Sequence, residues 1–320
     1  MTSSVAIATY NGEKFIAEQL NSIINQTVKP NQIVISDDNS SDNTIAIAEK
    51  ILRNSGIEYI ISINNPALKI LKNFDKAFSL CTGDIIFPCD QDNVWKFNFI
   101  EKFIEKFEND PDIVYAFCNG IVTDEKLKYI KPTFSDEFMN MSNEDFFLNV
   151  FRSKFFPHGH TIAVKRDFVF RVIPSGFFYD EWLALCSGAV NKVGSIKDTL
   201  IYFRRHDSAA TSAEKDNKRF SIRGLYSRTF DEHFSWAYHR YEAYKRFLEI
   251  LSTEIKVSCI PEIKEHMLFC KCLDNIRNYN LIKREFELFK IYRSGLYEKY
   301  RGNRNSFILD ALYLLHKIKS

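Results

Sequence analysis

The sequence predicts an α/β fold: a mainly parallel central sheet followed by a helical C-terminal extension. Three observations point there. Short β-rich apolar runs alternate with segments of helical period, the runs are almost continuously apolar, and after residue 210 the alternation gives way to long helical segments rich in aromatic and basic residues. Strands that read as unbroken apolar runs are buried on both faces, the habit of parallel sheets covered by crossover helices.

The expected strands are "VAIAT" (5–9), "IVIS" (33–36), "YIISI" (59–63), "DIIFP" (84–88) and "IVYAFC" (113–118). Between the first two, Phe15, Leu20, Ile23 and Ile24 share one helix face. Ile45, Ala48, Ile51 and Leu52 repeat the spacing, and so do Phe99, Phe103, Ile104 and Phe107. Further on, Phe230, Phe234, Tyr238 and Tyr241 recur at helical steps, a stripe expected to pack against the front of the chain. The polar, small-residue stretch "HDSAATSAEKDNK" (206–218) reads as the boundary, dividing the chain into 1–210 and 211–320. There is no internal repeat.

Composition narrows the class. A chain of 320 residues with 45% hydrophobic residues can bury a substantial core. No window reaches the roughly eighteen uncharged apolar residues of a membrane span, and "SSVAIATYNG" lacks the marks of a signal peptide, so the expected compartment is the cytoplasm. Seven scattered cysteines without a C-x-x-C pair support neither a disulfide framework nor a zinc knuckle. Residues 211–320 carry 21 Lys and Arg against 14 Asp and Glu, whereas residues 1–210 carry 22 against 27. Such a basic extension attracts phosphate groups or forms a solvated helical surface.

Parallel sheets bind ligands at the carboxyl ends of their strands. Three polar clusters fall there: "TYNGE" after the first strand, "SDDNSSD" after the second and "CDQDN" after the fourth. Asp90 and Asp92 are one residue apart behind a buried strand, where like charges repel unless a cation offsets them. Mg²⁺ and Mn²⁺ take hard oxygen ligands and complete their shell with substrate phosphates and water, so this spacing suits a phosphate-handling metal site. A helix cap ahead of "NVWKFNFIEKF" is the alternative. Ser41 and Asp42 read as caps of the second helix, which leaves Asp37 and Asp38 for a ribose hydroxyl or a base N–H; Tyr10 is able to stack on that base. The absence of G-x-G-x-x-G and of G-x-x-x-x-G-K-[ST] argues against a dinucleotide dehydrogenase and a P-loop NTPase.

These residues, in this order, resemble the inverting nucleotide-sugar glycosyltransferases of family 2, which have the GT-A fold, and are most similar to bacterial rhamnosyltransferase-like members. The resemblance covers about residues 4 to 210. It is carried by "VAIATYNGEKFIAEQLNSIINQT" (5–27), "IVISDDNSSDNT" (33–44), "LKNFDKAF" (71–78), "GDIIFPCDQDNVW" (83–95), "HGHTIAVKRDF" (158–168), "YDEWLAL" (179–185) and "LIYFRRH" (200–206). It implies that Ala8, Tyr10, Asn11, Asp37, Asp38, Asn73 and Asp90 bind the donor nucleotide. It further implies that Asp92, with Asp90 and His206, holds Mg²⁺ or Mn²⁺, and that Asp180 or its neighbour Glu181 is the catalytic base. Where the common pattern has a further acid after Asp92, this chain has Asn93. His158 and His160 flank Gly159, a spot for close approach of donor or acceptor, or an ordinary turn.

The expected partners are a nucleoside-diphosphate sugar, dTDP-rhamnose or a UDP-hexose, and an acceptor hydroxyl on a surface glycan or lipid-linked oligosaccharide, with no nucleic acid. Two other readings stand beside it: a sugar-1-phosphate nucleotidyltransferase, and a non-catalytic carbohydrate-binding protein of the same fold. The C-terminal "NSFILDALYLLHKIKS" reads as a helix on the protein or at the inner face of the cell membrane.

Overall fold

The structure, a computed structural model, describes residues 1–152, 156–173, 178–207, 230–276 and 279–301. The chain divides into two compact units, one of Met1–Phe147 and Phe156–His206, the other of Leu148–Phe155 and Asp207–Ser320.

The first unit is built on a nine-stranded sheet. β1 (Ser3–Thr9), β2 (Gln32–Asp37), β3 (Glu58–Ile63) and β4 (Ile85–Cys89) run parallel, in the order β3, β2, β1, β4. The sheet continues through β8 (Ile162–Lys165), β6 (Tyr115–Thr123), β9 (Val193–Arg204) and β5 (Val94–Trp95), while β7 (Tyr129–Pro132) pairs with β6. β8 is antiparallel to both β4 and β6, whereas β6 and β9 are parallel. β1 lies between β2 and β4, so the chain order reverses at β1, a topological switch point where such sheets open a ligand crevice. The fold class agrees with the sequence expectation. All of β2 and β4 is buried, which is why both read as continuous apolar runs.

One face of the sheet is covered by α1 (Ile16–Ile24), α2 (Thr44–Leu52) and α4 (Phe99–Asn109), whose Ile16, Leu20, Ile23, Ala48, Leu52, Phe99, Phe103 and Phe107 join the odd-numbered residues of β1, β2 and β4 in one apolar cluster. α3 (Lys69–Ser79) packs on β1 and β2 and meets α8 (Tyr179–Ala189) where Phe74 and Tyr179 approach to 4.3 Å between ring centres. α5 (Asp136–Met139), α6 (Asn143–Phe151) and α7 (Arg166–Val172) complete the helices before α8; α6 is shared between the units, its last residues belonging to the second. Two capping expectations change. α4 starts at Phe99, after β5, so neither Asp90 nor Asp92 caps it. Asn43 stands at the N-cap of α2, while Asp42 accepts from the N–H groups of Thr44 and Glu13 and so ties that helix to the first turn.

The second unit holds α9 (Phe230–Ile250), α10 (Ile260–Asn275), α11 (Leu281–Arg293) and α12 (Leu296–Arg301). The aromatic stripe expected on α9 is not matched by the described side chains: Tyr238 is exposed, and Ala237, Ala243, Tyr244 and Phe247 are buried. Small and aromatic residues make the packing face among the described side chains, and Tyr238 of the expected stripe lies off it. The side chains of Phe230 and Phe234 lie outside the described ones, as do the boundary stretch beyond Asp207 and residues 302–320. Among the described residues no helix is long and apolar enough to cross a membrane.

Candidate active site

The turns after β1, β2 and β4 are laced together at the switch point. The Tyr10 N–H donates to Gln91 Oε1 at 2.9 Å and Gln91 Nε2 returns a bond to the Tyr10 carbonyl at 3.0 Å. Asn11, in the left-handed region with φ 45°, donates its N–H to Ser40 Oγ and accepts from the Ser41 N–H through Oδ1. That conformation suits asparagine, whose short side chain bonds locally. A Cβ on Gly12 would come within 2.3 Å of Gln91 Oε1, so a side chain there would displace the Gln91 amide from its bridge to Tyr10.

The expected nucleotide residues converge on this edge with different degrees of freedom. Tyr10 presents its ring, 58% exposed. Ala8 is a half-buried strand residue opposite Ser36. Asp37 is fully buried, and Thr9 and Ser40 donate to both of its oxygens, so it holds the turn and offers nothing to a ligand in this state. Asp38 accepts from the backbone N–H groups of Leu68 and Lys69, fixing the chain that enters α3. Asn73 donates to the Thr9 carbonyl and accepts from Asn64 Nδ2.

Each carboxylate behind β4 has its own imidazole. Asp90 Oδ2 is 2.9 Å from His160 Nδ1, and Asp92 Oδ2 is 3.0 Å from His206 Nε2. This separates the two charges that the sequence brings together. His206 rests on the Phe15 ring at 4.4 Å, and the Arg204 guanidinium lies over the same ring at 4.8 Å. Arg204 also donates to the carbonyls of Asp92 and Glu125 and pairs with Glu18, a fork that lysine could not reproduce. Asn93, buried, accepts from the Arg204 N–H and donates to Asp90 Oδ2. Among the described residues no three His, Cys, Asp or Glu side chains stand together as a metal cluster. The Asp92 and His206 pair, one hard oxygen and one imidazole nitrogen, suits an ion whose other positions go to phosphate and water; Asp90 is engaged elsewhere.

Asp180 sits in the first turn of α8, where its Oδ1 accepts from the Glu181 N–H at 2.9 Å and the Gly159 N–H donates to the same carboxyl. Burial, with the negative charges of Asp90 and Glu181, outweighs those bonds and pushes its pKa up to about 6. A carboxylate so tuned is a competent proton acceptor near neutral pH. Tyr179 holds α8 against the 158–160 turn: a Cβ on Gly159 would meet its hydroxyl at 1.8 Å. His158 is kept neutral, its pKa lowered to about 4 by burial and by the neighbouring His160.

Of the residues here, Gln91, Arg204, Glu18 and Asn64 escaped sequence reasoning, Phe15 was read only as part of a helix face, and His160 and Asn93 were noticed without a partner. Their contacts span long distances in the chain, 70 residues for His160 and Asp90 and 186 for Arg204 and Glu18, and no local pattern encodes these.

Residues 4–171 match the family model described as Glycosyl transferase family 2. An uncharacterized glycosyltransferase of Nostoc sp. is 24% identical over 242 residues, 70% of this chain and 72% of that protein. The dTDP-rhamnosyl transferase RfbG of Shigella flexneri is 40% identical over 103 residues, 31% of this chain and only 36% of its own length. Among solved structures, S. aureus TarS 1–349 in complex with UDP-GlcNAc aligns with a TM-score of 0.54 at 16% identity, covering 92% of each chain. The mannosyltransferase PcManGT from Pyrobaculum calidifontis, in complex with GDP-Man and Mn²⁺, aligns with a TM-score of 0.50 at 15% identity, covering 99% of this chain and 86% of that one. At such identities the structural likeness speaks for the fold, which is of the GT-A type.

Proposed function

The chain belongs to glycosyl transferase family 2, and on that premise we propose that it transfers a sugar from a nucleoside-diphosphate donor to an acceptor hydroxyl, with inversion at the anomeric carbon and with Mg²⁺ or Mn²⁺ as cofactor. The reading is supported by two observations: the Asp92 and His206 pair behind β4, and an Asp180 whose pKa is raised by burial and by the nearby charge of Asp90. Asp92 and His206 would hold the ion, which when bound neutralises charge on the leaving diphosphate. Tyr10 stacks on the base, while Asp38, Asn73 and Asp90 line the nucleotide, with Asp37 and Asn11 keeping their turns in shape. Asp180, rather than Glu181, takes the proton of the acceptor hydroxyl as that oxygen bonds to the anomeric carbon. The bond from that carbon to the phosphate oxygen breaks, and its electron pair leaves with the nucleoside diphosphate. No covalent sugar intermediate forms on the protein.

The donor is dTDP-rhamnose or a UDP-hexose. The partial likeness to a dTDP-rhamnosyl transferase supports the first, and family membership leaves the nucleotidyltransferase reading without support. A thermal-shift screen of nucleotide sugars with Mn²⁺ tests the assignment, since a ligand that binds the native state alone raises Tm. A donor that stabilises the protein and is hydrolysed to nucleoside diphosphate supports the transferase. Binding without any turnover favours the non-catalytic carbohydrate-binding reading, and pyrophosphate release would refute both.

The acceptor is a surface glycan or a lipid-linked oligosaccharide, met at the cytoplasmic face of a membrane. Support comes from α11, where Ile282, Phe286 and Phe289 are exposed along one face and Lys283, Lys290 and Arg293 are exposed beside them, an arrangement suited to an anionic lipid surface. Flotation with anionic and with neutral vesicles checks this part, and equal binding to both or to neither counts against it.

A further inference from the structure

Two donors converge on one oxygen of Asp90. His160 Nδ1 lies 2.9 Å from Oδ2 and Asn93 Nδ2 lies 3.3 Å from the same atom. A carboxylate is acceptor-only, so the hydrogen bond requires the proton on Nδ1. The imidazole has little room to turn. Its side chain is 4% exposed, the Phe203 ring lies 4.3 Å away, and His158 stacks on it at 5.4 Å. Its Nε2 is buried with no hydrogen-bond partner among the described residues. Burying that nitrogen unsatisfied is unfavourable, and a phenylalanine of similar shape would avoid the cost. Among the described residues, the side-chain hydrogen bond that His160 makes in return is with Asp90.

We infer that His160 is a positioning residue: through Nδ1 it clamps Asp90 Oδ2 and so leaves Oδ1 as the oxygen offered to the donor nucleotide. The inference rests on the reading of Asp90 as a donor-binding residue. Asn93 completes the clamp. Its amide accepts from Arg204 at the end of β9 and donates to Asp90, whereas an aspartate at that position would have no proton to give and would set a second negative charge against the first. The departure at position 93 from the acid of the common family pattern thereby acquires a physical reason. It couples the β4 turn to the end of β9 without loosening Asp90.

The test uses the full chain as wild type, H160F, H160N, D90A and the double variant H160F/D90A. UDP and dTDP serve as probes in calorimetry with Mn²⁺, and Tm is measured alongside. H160F is expected to weaken nucleotide binding at least tenfold with a small change in Tm. H160N, which keeps a donor near the Nδ1 position, is expected to recover much of that loss. In the D90A background H160F should cost nothing further, because two residues that act as a unit are not additive. Independently of any nucleotide, the His160 Nδ1–H should give a protected imidazole signal in ¹H–¹⁵N spectra that D90A abolishes. If D90A leaves binding unchanged, the reading of Asp90 fails and this inference with it. If D90A weakens binding and H160F does not, the inference alone fails. It is equally overturned by additive losses in the double variant, or by absence of the Nδ1–H signal from the wild type.

Discussion

His206 Nε2 lies 3.0 Å from Asp92 Oδ2, although 114 residues separate them in the chain. The pair exists because β9 ends beside the β4 turn: Arg204 reaches back to the Asp92 carbonyl, and Phe15 supports the imidazole from below. A carboxylate and an imidazole held by separate strands form a ligand pair whose geometry depends on the sheet, and this pair would carry the divalent ion. Replacing Asp92 with asparagine should lower kcat by about 10²–10³-fold, the range seen when one group stabilising developing charge is removed. Rate measurements across a Mn²⁺ titration check it; a native rate at saturating Mn²⁺ would refute the assignment.

As the proposed base, Asp180 would set the pH profile. With its pKa raised to about 6, the base is lost as pH falls through that value, so kcat/KM should decline on the acid side near pH 6 and stay level above it. Asp180→Asn should reduce kcat by about 10²–10⁴-fold and remove the acid limb.

The same shift has a stability signature. The native state binds the Asp180 proton more tightly than the unfolded chain, whose value is 3.8, so ionisation costs stability as pH rises from about 4 to above 6. Asp180→Asn should therefore stabilise the protein at pH 7.5 by on the order of 1–3 kcal/mol and have little effect at pH 3.5. Urea unfolding at the two pH values distinguishes this from a packing effect, which would persist at both.

Tyr10 is exposed and its hydrogen bonds run through the backbone, so Tyr10→Ala should leave Tm within a degree or two. Loss of base stacking should nonetheless weaken UDP or dTDP binding by about 1–3 kcal/mol. Unaltered affinity by calorimetry would remove Tyr10 from the nucleotide site.

Gly159→Ala should be costly out of proportion to one methyl group. The added Cβ meets the buried Tyr179 hydroxyl, one residue before Asp180, and overpacking of this kind costs about 1–3 kcal/mol. Activity should fall with stability, because the start of α8 must move; an unchanged Tm would show that the turn can yield.

β1, β2 and β4 were legible because they are buried on both faces and so leave nearly unbroken apolar runs, whereas β3, an edge strand that is half-buried or exposed along its length, was legible from its β-branched and aromatic residues. β5 has two residues and β7 is exposed along its length, so neither leaves a local trace. The acids at the strand ends were equally visible, since Asp37, Asp38, Asp90 and Asp92 follow buried runs directly. What each acid does was not. Asp37 and Asp38 look alike in "SDDNS", yet the first closes its own turn while the second anchors the chain at Leu68 and Lys69.

By itself, the sequence determined the alternation of strands and helices, the acidic turns at the carboxyl edge and the family they resemble, because burial period and turn chemistry are local properties of a chain. Tertiary structure alone decided that Asp90 answers to His160 and Asp92 to His206, and that Asp180 is enclosed enough for its pKa to rise to about 6. Those are matters of which distant groups share a few ångströms of low-dielectric space, where charge, hydrogen bonding and burial act together.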